Sequence, residues 1–151
     1  MHFATKNYYT RGLMNKVSVL SLEKRFKKFD GKIKKTALKT FKILKKKNVS
    51  AEIYLAGNQK MRFLNKKFRG KNKSTDVLSF EESRNFVNPP SKYRKIGEIY
   101  LNMSDVKGQM SEAGRLLIHG LLHLFGYNHK KKSDRIKMEK TEQRILCSLP
   151  L

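Results

Sequence analysis

The apolar positions of this chain change period along its length, and the changes mark out its elements. From Gly31 to Asn48, Ile33, Ala37, Phe41 and Leu44 recur at helical spacing with lysines mostly on the other side, which predicts an amphipathic helix with a solvated basic face. The stretch "SAEIYLA", Ser50 to Ala56, has the β-branched and aromatic content of a short strand, and Gly57 ends it. Asn58 then stands as the N-cap of a second helix that carries Met61, Leu64 and Phe68 and stops near Arg69 and Gly70.

Two further strands follow, "TDVLSF" (Thr75 to Phe80) and "IGEIYLN" (Ile96 to Asn102), separated by a loop from Glu82 to Lys95 that contains Asn88, Pro89, Pro90 and Ser91. Ser111 is placed to cap a helix running through Leu116, Leu117, Ile118, Leu121, Leu122, Leu124 and Phe125 to Gly126. Its apolar residues surround the axis, so it is expected to be largely buried. A last helix from Ser133 puts Ile136, Met138, Thr141 and Ile145 at near-helical spacing. The resulting order predicts an α+β fold, a small mixed β-sheet with helices packed on it.

Composition narrows the class. A length of 151 residues suits a single domain, and 38% hydrophobic residues, with 9 Phe and 6 Tyr, supply a core and exclude wholesale disorder. The balance of 35 Lys and Arg against 12 Asp and Glu gives a net charge of +23, so the chain attracts polyanions, nucleic acid first and an anionic membrane surface second. There is no apolar run of about 18 residues, and no transmembrane helix is expected. The lone Cys147 excludes an intrachain disulfide and points to a reducing compartment. The first 22 residues carry Lys6, Arg11 and Lys16 but no acid, a faint likeness to an organellar transit peptide that is more simply the basic start of a basic protein.

Three of the four histidines fall within "HGLLHLFGYNH", His119 to His129. On a helix, His119 and His123 project from one face. Gly126 can take the positive φ that ends a helix and turn the chain so that His129 returns toward the same point. Three imidazole nitrogens with a fourth position open suit a catalytic zinc site, whereas structural sites are closed by four ligands and often use thiolates. The spacing also resembles the metzincin protease signature H-E-x-x-H-x-x-G-x-x-H, but Gly120 stands where that motif has its general base.

The segment His119-Gly120-Leu121-Leu122-His123-Leu124-Phe125-Gly126-Tyr127-Asn128-His129 resembles the H-G-x-L-H-L-x-G-Y-D-H hallmark of the YbeY family of endoribonucleases. "LNKKFRGKNKSTDVLSF" (Leu64 to Phe80) is similar to another family segment, "IGEIYLN" to a family strand, and Met138, Glu142, Ile145 and Leu146 to the family's ending. The likeness runs from about Ser50 to Leu146 and leaves the first 30 residues or so unmatched. It implies a zincin-like metal helix with His119, His123 and His129 holding one Zn2+, and Arg69 as a functional arginine able to anchor the scissile phosphate. It further implies cleavage of single-stranded RNA, maturation of the small-subunit ribosomal RNA 3′ end, ribosome quality control, ribosomal RNA and ribosomal or small-subunit proteins as partners, and a cytoplasmic location without a membrane.

Around Arg69, no acid interrupts the chain from Gln59 to Lys73, and Lys66, Lys67, Lys71 and Lys73 form a track suited to phosphates. Phe68 or Tyr93 can stack on a base, although helical spacing places Phe68 in the core. Asp76 and Glu98 are candidates either to orient a histidine or Arg69, or to form strand-end salt bridges. Asn128 replaces the family's usual Asp, Ser74 a usual Pro, and Glu81 follows Phe80 where Pro is common. Two rival functions remain at this point, a zinc metalloprotease and a ribosome-assembly factor that binds RNA without cutting it.

Overall fold

The computed structural model describes residues 15–83, 92–106 and 110–149. A strand β1 (Lys16–Ser21) leads through a 3-10 turn (Lys24–Phe29) into helix α1 (Asp30–Ile43), then β2 (Val49–Ala56), α2 (Asn58–Arg69), β3 (Val77–Glu81), β4 (Arg94–Asn102), α3 (Met110–Leu124) and α4 (Lys132–Ser148). The sheet order is β1-β2-β4-β3, with β1, β2 and β4 parallel and β3 antiparallel to β4. This is the expected α+β class with a small mixed sheet.

Alternation in β2 explains its two faces. Val49, Ala51, Ile53 and Leu55 are buried, while Ser50, Glu52 and Tyr54 on the other side are half-buried. The first face meets α1 through Ile33, Ala37 and Phe41 and α3 through Leu117 and Leu121. The opposite face is covered at one end by α2, where Met61 and Leu64 pack on Ala56 and Leu78. A third cluster joins Ile118 and Leu122 of α3 to Met138 and Ile145 of α4. Helix α3 is therefore enclosed by the sheet on one side and α4 on the other, as its all-round apolar pattern requires.

Several local expectations change. Strand β1 and the 3-10 turn were not foreseen, yet Val17, Phe26 and Phe29 are buried in the main core. Residues 1–14 of the basic start, and Asn88 to Ser91 of the loop, lie outside the described residues. Gly57, not Asn58, is the N-cap of α2. The Asn58 amide donates to Ser104 Oγ (2.9 Å), and its side-chain oxygen accepts from Asn102 Nδ2 (2.7 Å) and Ser74 Oγ (3.1 Å). The asparagine is thus occupied by partners from distant segments, and Ser74 gains a use that the family's proline cannot supply. Ser111 lies inside the first turn of α3 rather than before it. Ile136, placed on the apolar face of α4 by spacing, is 41% exposed.

Candidate metal centre

Helix α3 ends at the point where the histidines need it to end. Tyr127 N donates to Leu122 O and Gly126 N to His123 O, both at 3.0 Å, with Gly126 at φ 94. These two bonds with a left-handed residue between them make a Schellman motif, and Tyr127 packs with Leu122 in the hydrophobic contact that accompanies it. The same turn serves the site, because the Tyr127 carbonyl lies 2.9 Å from His123 Nδ1. With the Nδ1 proton donated there, Nε2 keeps its lone pair for an ion.

The ligand atoms of His119, His123 and His129 lie within 4.8 Å of one another. The Nε2 atoms of His119 and His123 are 3.1 Å apart, near the separation of about 3.3 Å that two nitrogens take on a tetrahedral zinc at 2.0–2.1 Å. Three neutral nitrogen donors at such spacing fit a borderline-soft divalent ion. Burial holds the His123 imidazole below its ordinary pKa, and repulsion from His119, His129 and Arg69 acts in the same direction, while the Tyr127 carbonyl opposes them without cancelling. The imidazole is therefore kept in the neutral form that binds metal.

A carboxylate that local sequence reading placed in no role completes the arrangement. Glu142 Oε1 of α4 stands 3.5 Å from His119 Nδ1, positioned to fix the tautomer that aims Nε2 inward. Its sequence signal is an acid sharing a helix face with Met138 and Ile145, both fully buried. Of the two acids first considered for such a part, Glu98 instead pairs with Lys95 (3.3 Å), which also reaches Glu52 at 3.4 Å. Asp76 is exposed, its carbonyl accepts from Asn102 N at 2.8 Å, and its charge acts on Arg115.

His119 and His123 open onto a cleft of about 480 Å³ whose lining also includes Arg69, Ser79, Glu81, Asn128 and Lys130. Arg69 reaches it from the end of α2. The following turn is pinned by the buried Asn65, whose Nδ2 donates to Lys73 O at 2.8 Å. Lys130 is a second cation on the wall that sequence reading passed over, and among the described lining residues Glu81 alone is acidic. Lys66, Lys67, Lys71 and Lys73 are exposed on α2 and the turn after it and do not line the cleft. Asn128 Oδ1 accepts from Lys130 N at 3.0 Å, so the amide oxygen does for this turn what a carboxylate oxygen would.

Gly120 is the packing point of α3 on the sheet. A β-carbon there would lie 3.1 Å from Ser79 Oγ and 3.3 Å from Ile99, and the Ser79 hydroxyl donates to Gly120 O at 3.3 Å. Any side chain here requires Ser79 and Ile99 to give way by a few tenths of an ångström, and with glycine in place the chain lacks the carboxylate that a metzincin uses as general base at this position.

Fold and site together define an α+β protein with a tri-histidine centre able to hold a metal ion beside an arginine. The family model for the endoribonuclease YbeY matches residues 13–150. Endoribonuclease YbeY of Aquifex aeolicus is 34% identical over 149 residues, covering 93% of this chain and 95% of the relative. That of Pelagibacter ubique is 37% identical over 131 residues, covering 81% and 83%. A solution structure from Thermotoga maritima is similar with a TM-score of 0.51 and 25% identity, covering 87% of this chain and 90% of that one. The chain belongs to the endoribonuclease YbeY family, whose enzymes are hydrolases of RNA phosphodiester bonds. The matched span extends to residue 13, well beyond the segments that carry the likeness in the sequence alone.

Proposed function

We propose that the chain is a zinc-dependent endoribonuclease cutting single-stranded RNA in the maturation of ribosomal RNA, including the small-subunit 3′ end, and in ribosome quality control. The observation that supports this most is the meeting of His119, His123 and Arg69 at one cleft, with His129 completing the nitrogen set. His119, His123 and His129 are the proposed zinc ligands. When bound, zinc supplies Lewis-acid activation of water and of a phosphoryl oxygen near neutral pH.

The chain's own groups account for the rest. The Arg69 guanidinium carries two parallel donors and a permanent charge, which suit the non-bridging oxygens of a phosphodiester and offset the charge gained as phosphorus becomes five-coordinate. Lys130 adds a second positive charge on the cleft wall. Glu142 and the Tyr127 carbonyl hold the His119 and His123 rings in orientation. Lys66, Lys67, Lys71 and Lys73 bind phosphates outside the cleft without reading sequence, so the choice of target falls to strand accessibility and to ribosomal partners. No described helix is long and apolar enough to cross a membrane, and a cytoplasmic site of action is part of the proposal.

The test is cleavage of a single-stranded RNA by the native protein and by H119A/H123A, with zinc measured in both. The native protein is expected to carry one ion and cut, and the variant to lose both. A variant that lost zinc yet cut at the native rate would overturn the assignment. An RNA-binding factor without activity would bind the RNA and leave it intact in both forms.

A further inference from the structure

Five large hydrophobic side chains are exposed among the described residues, and two of them, Phe63 (56%) and Phe68 (58%), lie on α2. Both rings are dressed with lysine. Lys67 Nζ lies 5.9 Å from the Phe63 ring centre and 5.4 Å from that of Phe68, and Lys60 Nζ is 5.3 Å from Phe63. One ammonium therefore spans two phenyl rings on a helix that has no acid from Gln59 to its end. Phe68 is also fixed from behind. It meets Phe80 edge-on at 5.2 Å, and Phe80 meets Tyr100 at 5.9 Å. The next residue, Arg69, lines the metal cleft.

We propose that Phe63, Lys67 and Phe68 form a stacking platform for unpaired bases of single-stranded RNA, leading the strand to Arg69. The inference rests on the endoribonuclease reading and adds the surface that selects the form of the substrate. A nucleotide presents a flat π face and an anion a few ångströms away, and this surface presents a ring and a cation in the same repeat. An apolar protein partner would have to strip water from Lys60 and Lys67 without giving them a counter-charge, a cost that phosphate avoids. Bases inside a duplex already have both faces stacked, so the platform accepts single strands and rejects paired ones. Selection by strandedness without sequence follows, because every base has a π face.

The experiment compares the full-length native protein with F63A/F68A and F63Y/F68Y by stopped-flow anisotropy, before cleavage proceeds. The probes are a short single-stranded RNA and an abasic ribose-phosphate oligomer of equal length. Loss of the rings is expected to weaken RNA binding about tenfold per ring, to leave abasic binding unchanged, and to be reversed by tyrosine. F63Y/F68Y should melt like the native protein, while F63A/F68A, which loses the contact of Phe68 with Phe80, should melt lower by only a few degrees and remain folded at the temperature of the binding measurement. Equal RNA affinity of native and F63A/F68A, or a parallel loss on the abasic oligomer, would overturn the platform. Cleavage of the same RNA by the native protein is followed separately. Ring-dependent binding without any cleavage would sustain the platform and overturn the nuclease reading, whereas cleavage with ring-independent binding would overturn the platform alone.

Discussion

Gly120 packs so closely on Ile99 that a β-carbon there would stand 3.3 Å from two of the isoleucine's methyl carbons. The residue that follows His119 is thus constrained to be small by the contact of α3 with the sheet. Alanine gains helix propensity and loses it again to crowding, so G120A should remain within about 1 kcal/mol of native stability. Glutamate must bury a charge as well as a longer side chain, and G120E should cost about 3 kcal/mol or more, ~10 °C in Tm. A G120E protein that melted like the native one and hydrolysed casein would revive the protease reading.

The second prediction concerns Glu142 and its 3.5 Å approach to His119. Carboxylates that orient a ligating imidazole raise its basicity and fix its tautomer, and losing one typically weakens metal binding by about 10- to 100-fold. E142Q should show such a loss in competition with a chromophoric chelator, with the fold intact by circular dichroism. Zinc affinity equal to that of the native protein would mean that the glutamate serves only the packing of α4.

The pH dependence follows from His123. In the metal-free protein its pKa lies below the ordinary value, so the unfolded chain takes up a proton near pH 6.5 that the folded chain refuses. Stability is therefore complete above about pH 6.5 and falls as the pH drops through that value, levelling off once the folded imidazole also protonates. Melting curves of the metal-free protein between about pH 5 and 8 should show this slope, and H123Q should flatten it. A native protein that gained stability on acidification through this window would show that the histidine is held protonated instead.

How far the sequence reaches differs between helices and contacts. The buried helix α3 and its histidine turn were legible because their determinants are local, namely an all-round apolar pattern, the i,i+4 pair and Gly126. Strand β1 was not, since "KVSVLS" gains its place from parallel pairing with β2, as in Val19 with Ile53, some 30 residues away. The expected core position of Phe68 failed for a related reason. Asn65 takes the buried place on α2 because the Lys73 carbonyl needs its amide, and that need is visible only once the turn is folded. Glu142 was legible as a family match, but its meeting with His119 requires α4 to lie across α3. Asn58 likewise looks like a cap until Asn102 and Ser74 claim its side chain.

The roles proposed for Arg69 and for the lysines beside it are separable by experiment, and this separation is the last prediction. Arg69 lines the cleft, so its effect should fall on the chemical step. R69A should keep its zinc and lose about 100- to 1,000-fold in kcat, with R69K recovering little because an ammonium lacks the paired donors. Lys71 and Lys73 lie outside the cleft and should act on binding alone. Removing both should weaken affinity across all RNA sequences and reduce the slope of log affinity against log salt by about one for each lysine, with kcat at saturating RNA unchanged. A K71A/K73A protein with the native salt slope would exclude these lysines from the phosphate track, and an R69A protein with native kcat would remove the arginine from the reaction while leaving the metal centre as described.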